Sequence, residues 1–170
     1  MKDTDHLESS NKKQIDLDEL RRQFDTEARH RELLGWQAML ITVIAVAMSL
    51  FHLYTSGFGL LLAMKQRATH LAFVLVLVFL LYPFSQKSAK GKIPWHDFII
   101  AGLALFATMY MVINFEEMVL RAGLPTKMDL IVGFLGIALL LEGTRRVSSP
   151  ILPCIAIFFL FYCYFGRYFP

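Results

Sequence analysis

Long apolar runs alternate with short charged segments along this chain, and the alternation is its main structural signal. A helical run of about 20 apolar residues crosses the hydrocarbon core of a bilayer. The runs predict membrane-spanning helices over 36–56, 68–84, 98–115, 128–143 and 150–166. The sequence therefore predicts an all-α, polytopic integral membrane protein, with residues 35–170 forming one helical membrane domain.

The number of spans depends on the fourth run. Its uncharged part, Leu130 to Leu141, reaches only about 18 Å as a helix, whereas the hydrocarbon core is about 30 Å thick. It crosses the bilayer only if the flanking residues, including Asp129 and Glu142, extend the helix with their charges paired or reaching the surface. Four and five spans therefore both remain open.

Residues 1–34 are polar, but apolar residues recur at helical spacing from Leu17 to Ala28. This spacing predicts an amphipathic cytoplasmic helix from about residue 18 to residue 34, lying on the membrane surface or leading into the first span. A flexible cytoplasmic tail is the alternative. The first apolar run follows this long charged segment and is longer than a signal-peptide core, so we expect it to be retained as an anchor.

Composition supports a bilayer environment for most of the chain. The sequence is 56% hydrophobic and 18% charged, whereas soluble domains are about 45–50% apolar and about 25% charged. The net charge of +3 is small and its basic residues are dispersed, which argues against nucleic-acid binding. Cys154 and Cys163 would lie about 13 Å apart on one continuous helix, too far for a disulfide.

The distribution of Lys and Arg predicts the orientation of the chain. With the N-terminus in the cytoplasm, the basic residues assigned to the inside are Arg21, Arg22, Arg29, Arg31, Lys87, Lys90, Lys92, Arg145 and Arg146. Those assigned to the outside are Lys65, Arg67, Arg121, Lys127 and Arg167. The excess on the inside favours a cytoplasmic N-terminus, and five spans would then put the C-terminus outside.

A small set of polar residues close to the ends of the apolar runs is the best candidate for a functional site, because ionisable groups at membrane depth often mark function. The set is Asn114, Glu116, Glu117, Arg121, Glu142, Arg145 and Arg146. Two of its acids precede an arginine by four residues, a spacing that forms ion pairs on a helix. These residues either form interfacial ion pairs, contact a partner membrane domain, or coordinate a substrate or ion directly.

The sequence contains no recognisable catalytic motif, phosphate-binding loop or paired-cysteine motif. Its histidines are scattered, and their spacing gives no reason to expect two or three of them to converge on a metal. We therefore expect structural histidines, no metal, no cofactor and no enzymatic activity.

Several stretches in fixed order resemble a known family. They are FHLYTSGFG, QRATHLAFVLVLVFLLYPFS, RAGLPTKMD, LEGTRR and FGRYFP. Together, over roughly residues 48–170, they resemble the N-terminal part of the fused permeases of tripartite ATP-independent periplasmic (TRAP) transporters of the TAXI type.

The resemblance implies a small scaffold domain of a sodium-coupled secondary transporter in the cytoplasmic membrane of a bacterium or archaeon. In this family a periplasmic binding protein delivers organic acids such as glutamate or 2-oxoglutarate. A large membrane domain holds the substrate and sodium sites, and the small domain braces it. The hairpin loops that hold substrate and sodium have no counterpart in this sequence, so no transport-site residue is carried over. A fifth apolar run also exceeds the four helices usual for a separate small subunit.

Two interpretations follow. The chain is either a scaffold-type component of such a transporter, as a separate subunit or part of a fused permease, or a stand-alone helical membrane protein. In the second case the N-terminal segment would serve assembly or sensing by binding a soluble partner or anionic lipid.

Overall fold

The computed structural model describes residues 31, 33–59, 62–84, 92–148 and 150–166, and every element within these ranges is helical. The helices are α1 (Trp36–Gly57), α2 (Ala63–Leu81), α3 (Trp95–Ile113), α4 (Phe115–Leu120), α5 (Lys127–Val147) and α6 (Ile151–Phe165).

Three of these helices, α1, α2 and α3, are long and apolar enough to cross a membrane. Their 22, 19 and 19 residues correspond to about 33 Å and about 28 Å, close to the ~30 Å core of a bilayer. Helix α5 has 21 residues but is charged at both ends, and α6 has only 15. The predicted all-helical fold is confirmed at this level, and it is compatible with a multi-pass membrane protein.

Helices α2 and α3 form the centre of the bundle and run antiparallel. Their interface contains Leu75 and Phe79 from α2 and the small residues Ala101 and Ala104 from α3. Small residues at a helix interface let two backbones approach closely, which is the usual means of packing helices within a bilayer. Helices α1 and α5 flank this pair, and α6 contacts α5.

Helix α5 comes close to α2 at Gly143, which is buried. A methyl group added there would lie 3.1 Å from Cδ2 of Leu75 and 3.7 Å from Cγ1 of Val78. The absence of a side chain at this position therefore sets how near the two helices can approach.

The outward faces of the bundle are apolar. In α1 the buried residues are the polar Gln37 and Thr55, whereas Val43 and Leu50 are more than half exposed. In α6 only Pro153 is buried. A bundle with apolar side chains on its outer surface and polar side chains buried inside suits a hydrocarbon solvent rather than water.

The second helix differs from the predicted range of 68–84, since it begins at Ala63 and ends at Leu81. Its first turns contain Lys65 and Arg67, so the charged residues that precede the predicted span are helical. A helix tolerates charged residues at its ends, so hydropathy alone does not locate the residue at which the helix begins. The helix ends early because Pro83 disfavours helical geometry at Tyr82, which is extended.

The third helix and the loop after it also differ from the prediction. The helix spans Trp95–Ile113 instead of 98–115, and the segment between the predicted third and fourth spans contains the short helix α4. The chain bends at Asn114, whose side-chain amide donates to the carbonyl of Tyr110 at 2.9 Å. Glutamate, leucine and methionine are good helix formers, so the start of this polar segment forms a helix.

A capping box stands at the start of α5. The backbone N–H of Asp129 donates to the Thr126 hydroxyl at 3.2 Å, and the Thr126 N–H donates to the Asp129 carboxylate at 2.8 Å. Aspartate thus replaces the usual glutamate without loss of the reciprocal bonds.

The predicted N-terminal helix lies mostly outside the described residues. Its last part is wrong, because Leu33 and Leu34 are not helical. Arg31 instead lies buried against the bundle, and the bonds that hold it there replace those of a continuing helix.

Candidate functional site

A buried carboxylate, that of Asp97, organises one end of the bundle. Asp97 lies in the first turn of α3, where the helix dipole favours an acidic group. Its side chain is fully buried, and one oxygen accepts from Arg31 Nη2 at 2.5 Å while the other accepts from Arg146 Nη1 at 2.9 Å. One carboxylate therefore bridges two arginines from distant parts of the sequence.

Arg31 joins the chain before α1 to the end of α2. Its backbone N–H donates to the carbonyl of Leu81 at 2.9 Å, and its Nη1 donates to the carbonyl of Leu80 at 3.3 Å. The last carbonyls of a helix have no partner within the helix, so Arg31 satisfies acceptors that would otherwise be buried unpaired.

Arg146 joins α5 to the same place. Its Nη1 also donates to the carbonyl of Tyr82 at 3.2 Å, and its Nε donates to Glu142 at 2.9 Å. The guanidinium carbon lies 5.0 Å from the centre of the Phe79 ring, within the range of a cation–π interaction.

Arg145 completes the group on its outer side. It donates two hydrogen bonds to Glu142, both of 2.8 Å, and its guanidinium carbon lies 4.5 Å from the centre of the Phe84 ring. Its side chain remains 38% exposed. Arg145 is therefore the arginine of this group that can reach a partner or a lipid headgroup.

We call these five side chains the charged brace: Arg31, Asp97, Glu142, Arg145 and Arg146. Three arginines and two carboxylates leave a formal surplus of one positive charge. Two buried nitrogens, Arg31 Nε and Arg146 Nη2, have no hydrogen-bond partner within the described residues. Burial of charges is costly unless they are paired, so the brace holds four chain segments in one fixed arrangement.

A second polar group occupies the opposite end. The Tyr110 hydroxyl donates to Asp129 at 2.7 Å, and Arg121 lies 3.7 Å from Asp129 and 3.8 Å from Glu117. These contacts connect α3, α4 and the start of α5. The two ion pairs of Arg121 are longer than those of the charged brace, and the Arg121 side chain is partly exposed, so each of these two pairs contributes less.

An ion pair between Lys65 and Glu116 links the start of α2 to α4. The two atoms are 2.8 Å apart, and the Glu116 side chain is 74% exposed. The hydrogen bond and the positive charge of Lys65 hold the pKa of Glu116 below its ordinary value of 4.5.

Two histidines also meet near this end. His52 Nε2 on α1 lies 2.8 Å from His70 Nδ1 on α2. Their separation of 18 residues, with a helix break between them, gave no periodic signal. In the described ranges, here included, no group of three or more His, Cys, Asp or Glu side chains could hold a metal ion. Cys154 and Cys163 are free.

The residues singled out from sequence divide between the two ends. Glu142, Arg145 and Arg146 lie in the charged brace, whereas Asn114, Glu116, Glu117 and Arg121 lie at the other end. Sequence reasoning missed Arg31 and Asp97. Asp97 could have been noticed as a carboxylate between Trp95 and an apolar run. Nothing in the sequence distinguishes Arg31 from the other arginines of its polar segment.

The arrangement can brace helices and present one partly exposed arginine. Comparison of the chain with known protein families, with characterised proteins and with solved structures gives no significant match.

Proposed function

We propose that this chain is the small, scaffold-type membrane component of a sodium-coupled TRAP transporter for organic acids. Its partners would be a large membrane transport domain or subunit and a periplasmic solute-binding protein. The substrate and sodium sites would lie in the large domain, so this chain would need no cofactor and would perform no chemistry of its own.

The observation that carries the proposal is where the resemblance motifs fall in the structure. The LEGTRR stretch supplies Glu142, Arg145 and Arg146 to the charged brace. The RAGLPTKMD stretch supplies Arg121 and Asp129 to the polar group at the opposite end. The stretches that resemble the family thus provide some of the contacts that fix the helices, which is the task of a scaffold.

The helix geometry supports a longer membrane domain than α1–α3 alone. At 21 residues, α5 is about 32 Å long, and ion pairs hold Asp129 near its start and Glu142, Arg145 and Arg146 near its end. We assign it as a fourth span. Helix α6, at 15 residues and about 22 Å, would be a tilted fifth span or a junction to the large domain. The basic charged brace would lie on the cytoplasmic side.

Transport by the isolated chain provides a direct test. Liposomes containing only this chain, given an inward sodium gradient and radiolabelled glutamate or 2-oxoglutarate, should show no uptake above empty liposomes. Uptake that depends on the gradient would contradict the scaffold role, because it would place the substrate site in this chain.

The stand-alone sensing or assembly role is favoured by one observation, the burial of Arg31, which fixes the chain just before α1 against the bundle. Deletion of residues 1–30 distinguishes the roles, because it leaves Arg31 and the charged brace intact. A scaffold should still assemble and support transport after the deletion. Loss of function with normal transporter assembly would favour the alternative.

A further inference from the structure

The contact between His52 and His70 brings two imidazole nitrogens from different helices to within 2.8 Å, with ring centres 4.9 Å apart. Neutral imidazole is the commonest protein ligand for late transition metals. We propose that these two histidines form a binding site for a divalent late transition-metal ion, with Cu²⁺ and Ni²⁺ suiting its geometry best. This site is independent of the transporter role.

The distance between the nitrogens selects the geometry. Two cis ligands on a square-planar ion, each at about 2.0 Å, lie about 2.8 Å apart. A tetrahedral ion with the same bond lengths needs about 3.3 Å. The observed 2.8 Å therefore suits a tetragonal ion without separation of the helices. The rings need only tilt so that both lone pairs point to one position, and the ring that carries the proton between the two nitrogens shifts to the tautomer protonated on its other nitrogen, so that both imidazoles stay neutral.

The surroundings give the ion an entry path and room for further ligands. His70 is exposed and His52 is half-buried. Lys65 lies five residues before His70, about 8 Å along the helix axis, and Arg67 lies within one turn. Their charged ends reach the aqueous interface, so the histidines sit near water. Two water molecules can then occupy the remaining equatorial positions.

The two helices hold the ligands with little freedom. The centre of the Phe51 ring on α1 lies 5.3 Å from that of the His52 ring and 6.0 Å from that of the Phe73 ring on α2. These ring contacts pack α1 against α2 beside the two histidines. Ligands placed on packed helices lose little entropy when the metal binds. The second histidine should therefore act at high effective concentration once the first is coordinated.

The test uses the full chain in detergent, with a tag that contains no histidine and with His6, His30 and His96 changed to alanine. One equivalent of Cu²⁺ is added, and pulsed EPR counts the coordinated imidazoles from their remote nitrogens. We expect two imidazoles per ion. His52→Ala or His70→Ala should reduce the count to one or none and weaken Cu²⁺ binding by about tenfold or more.

The matched control restores His96, an exposed histidine, and should leave the number of imidazoles per tightly bound ion at two. Circular dichroism checks that the variants remain helical. A single imidazole in the parent chain would overturn the proposal even if a variant failed to fold. Equal Cu²⁺ affinity in the parent and both histidine variants would also overturn it.

Discussion

Asp97 is the residue on which the arrangement of this end of the bundle depends. It is the only carboxylate bonded to Arg31 in the described structure, and it shares Arg146 with Glu142. Removal of one member of a buried ion pair costs more than the pair itself contributes, since it leaves an uncompensated buried charge.

We expect Asp97→Asn to lower the free energy of unfolding by about 3–5 kcal/mol, measured by denaturant titration in detergent and followed by circular dichroism. The control is Glu117→Gln, which alters a carboxylate that is 74% exposed and 3.8 Å from its arginine, and it should change little. Adding Arg31→Met to Asp97→Asn removes the cation that has no other carboxylate partner among the described residues, so it should restore part of the loss. Equal stability of the two single variants would contradict the brace.

The Lys65–Glu116 pair predicts a pH dependence. Because Lys65 lowers the pKa of Glu116 in the folded state, the pair stabilises the fold above the ordinary pKa of 4.5 and is lost as the pH falls through the lowered value. Lys65→Met should raise the Glu116 titration midpoint, observed by NMR of a side-chain-labelled sample. An unchanged midpoint would show that the pair does not form in solution.

At the scale of the helices, close packing depends on small residues at a few positions. The helices themselves could be predicted from hydropathy, because apolar length is recorded directly in the sequence. Their ends could not, as α2 and α4 show, since charged residues can be helical. The charged brace joins residues 31, 97 and 146, and no local pattern encodes contacts over such separations.

Gly143 tests the packing of α5 on α2. Gly143→Val should reduce stability by about 1–3 kcal/mol, because the added atoms meet Leu75 and Val78. Gly133→Val is the matched control: it makes the same change on the same helix, where a Cβ meets nothing within 4 Å. Thermal unfolding in detergent compares the two. Equal losses would indicate that helix propensity, and not the approach of the helices, determines the effect.

For the whole molecule, the structure separates two polar ends by the length of its helices. Lys65 and Leu80 lie on the same helix, 15 residues and about 22 Å apart, and each marks one end. The apolar outward faces lie between these ends. Such a molecule suits a membrane location in which each polar end meets one surface of the bilayer.

The proposed orientation, with the N-terminus in the cytoplasm, predicts a labelling pattern. In a background with both native cysteines changed to serine, Leu124→Cys should react with an impermeant maleimide on intact cells. Lys92→Cys should react only after permeabilisation, because this position lies at the same end of the bundle as the charged brace. Both positions are exposed, so accessibility within the protein does not confound the comparison. The reverse pattern would place the N-terminus outside.

The scaffold role is tested most directly by what the chain binds. The tagged full-length chain is purified from its native membrane in mild detergent, with a photo-crosslinker at Arg145, and mass spectrometry identifies the attached proteins. We predict a large polytopic permease crosslinked at this position, together with a periplasmic solute-binding protein. Recovery of the chain alone, or only with soluble cytoplasmic proteins, would contradict the scaffold role.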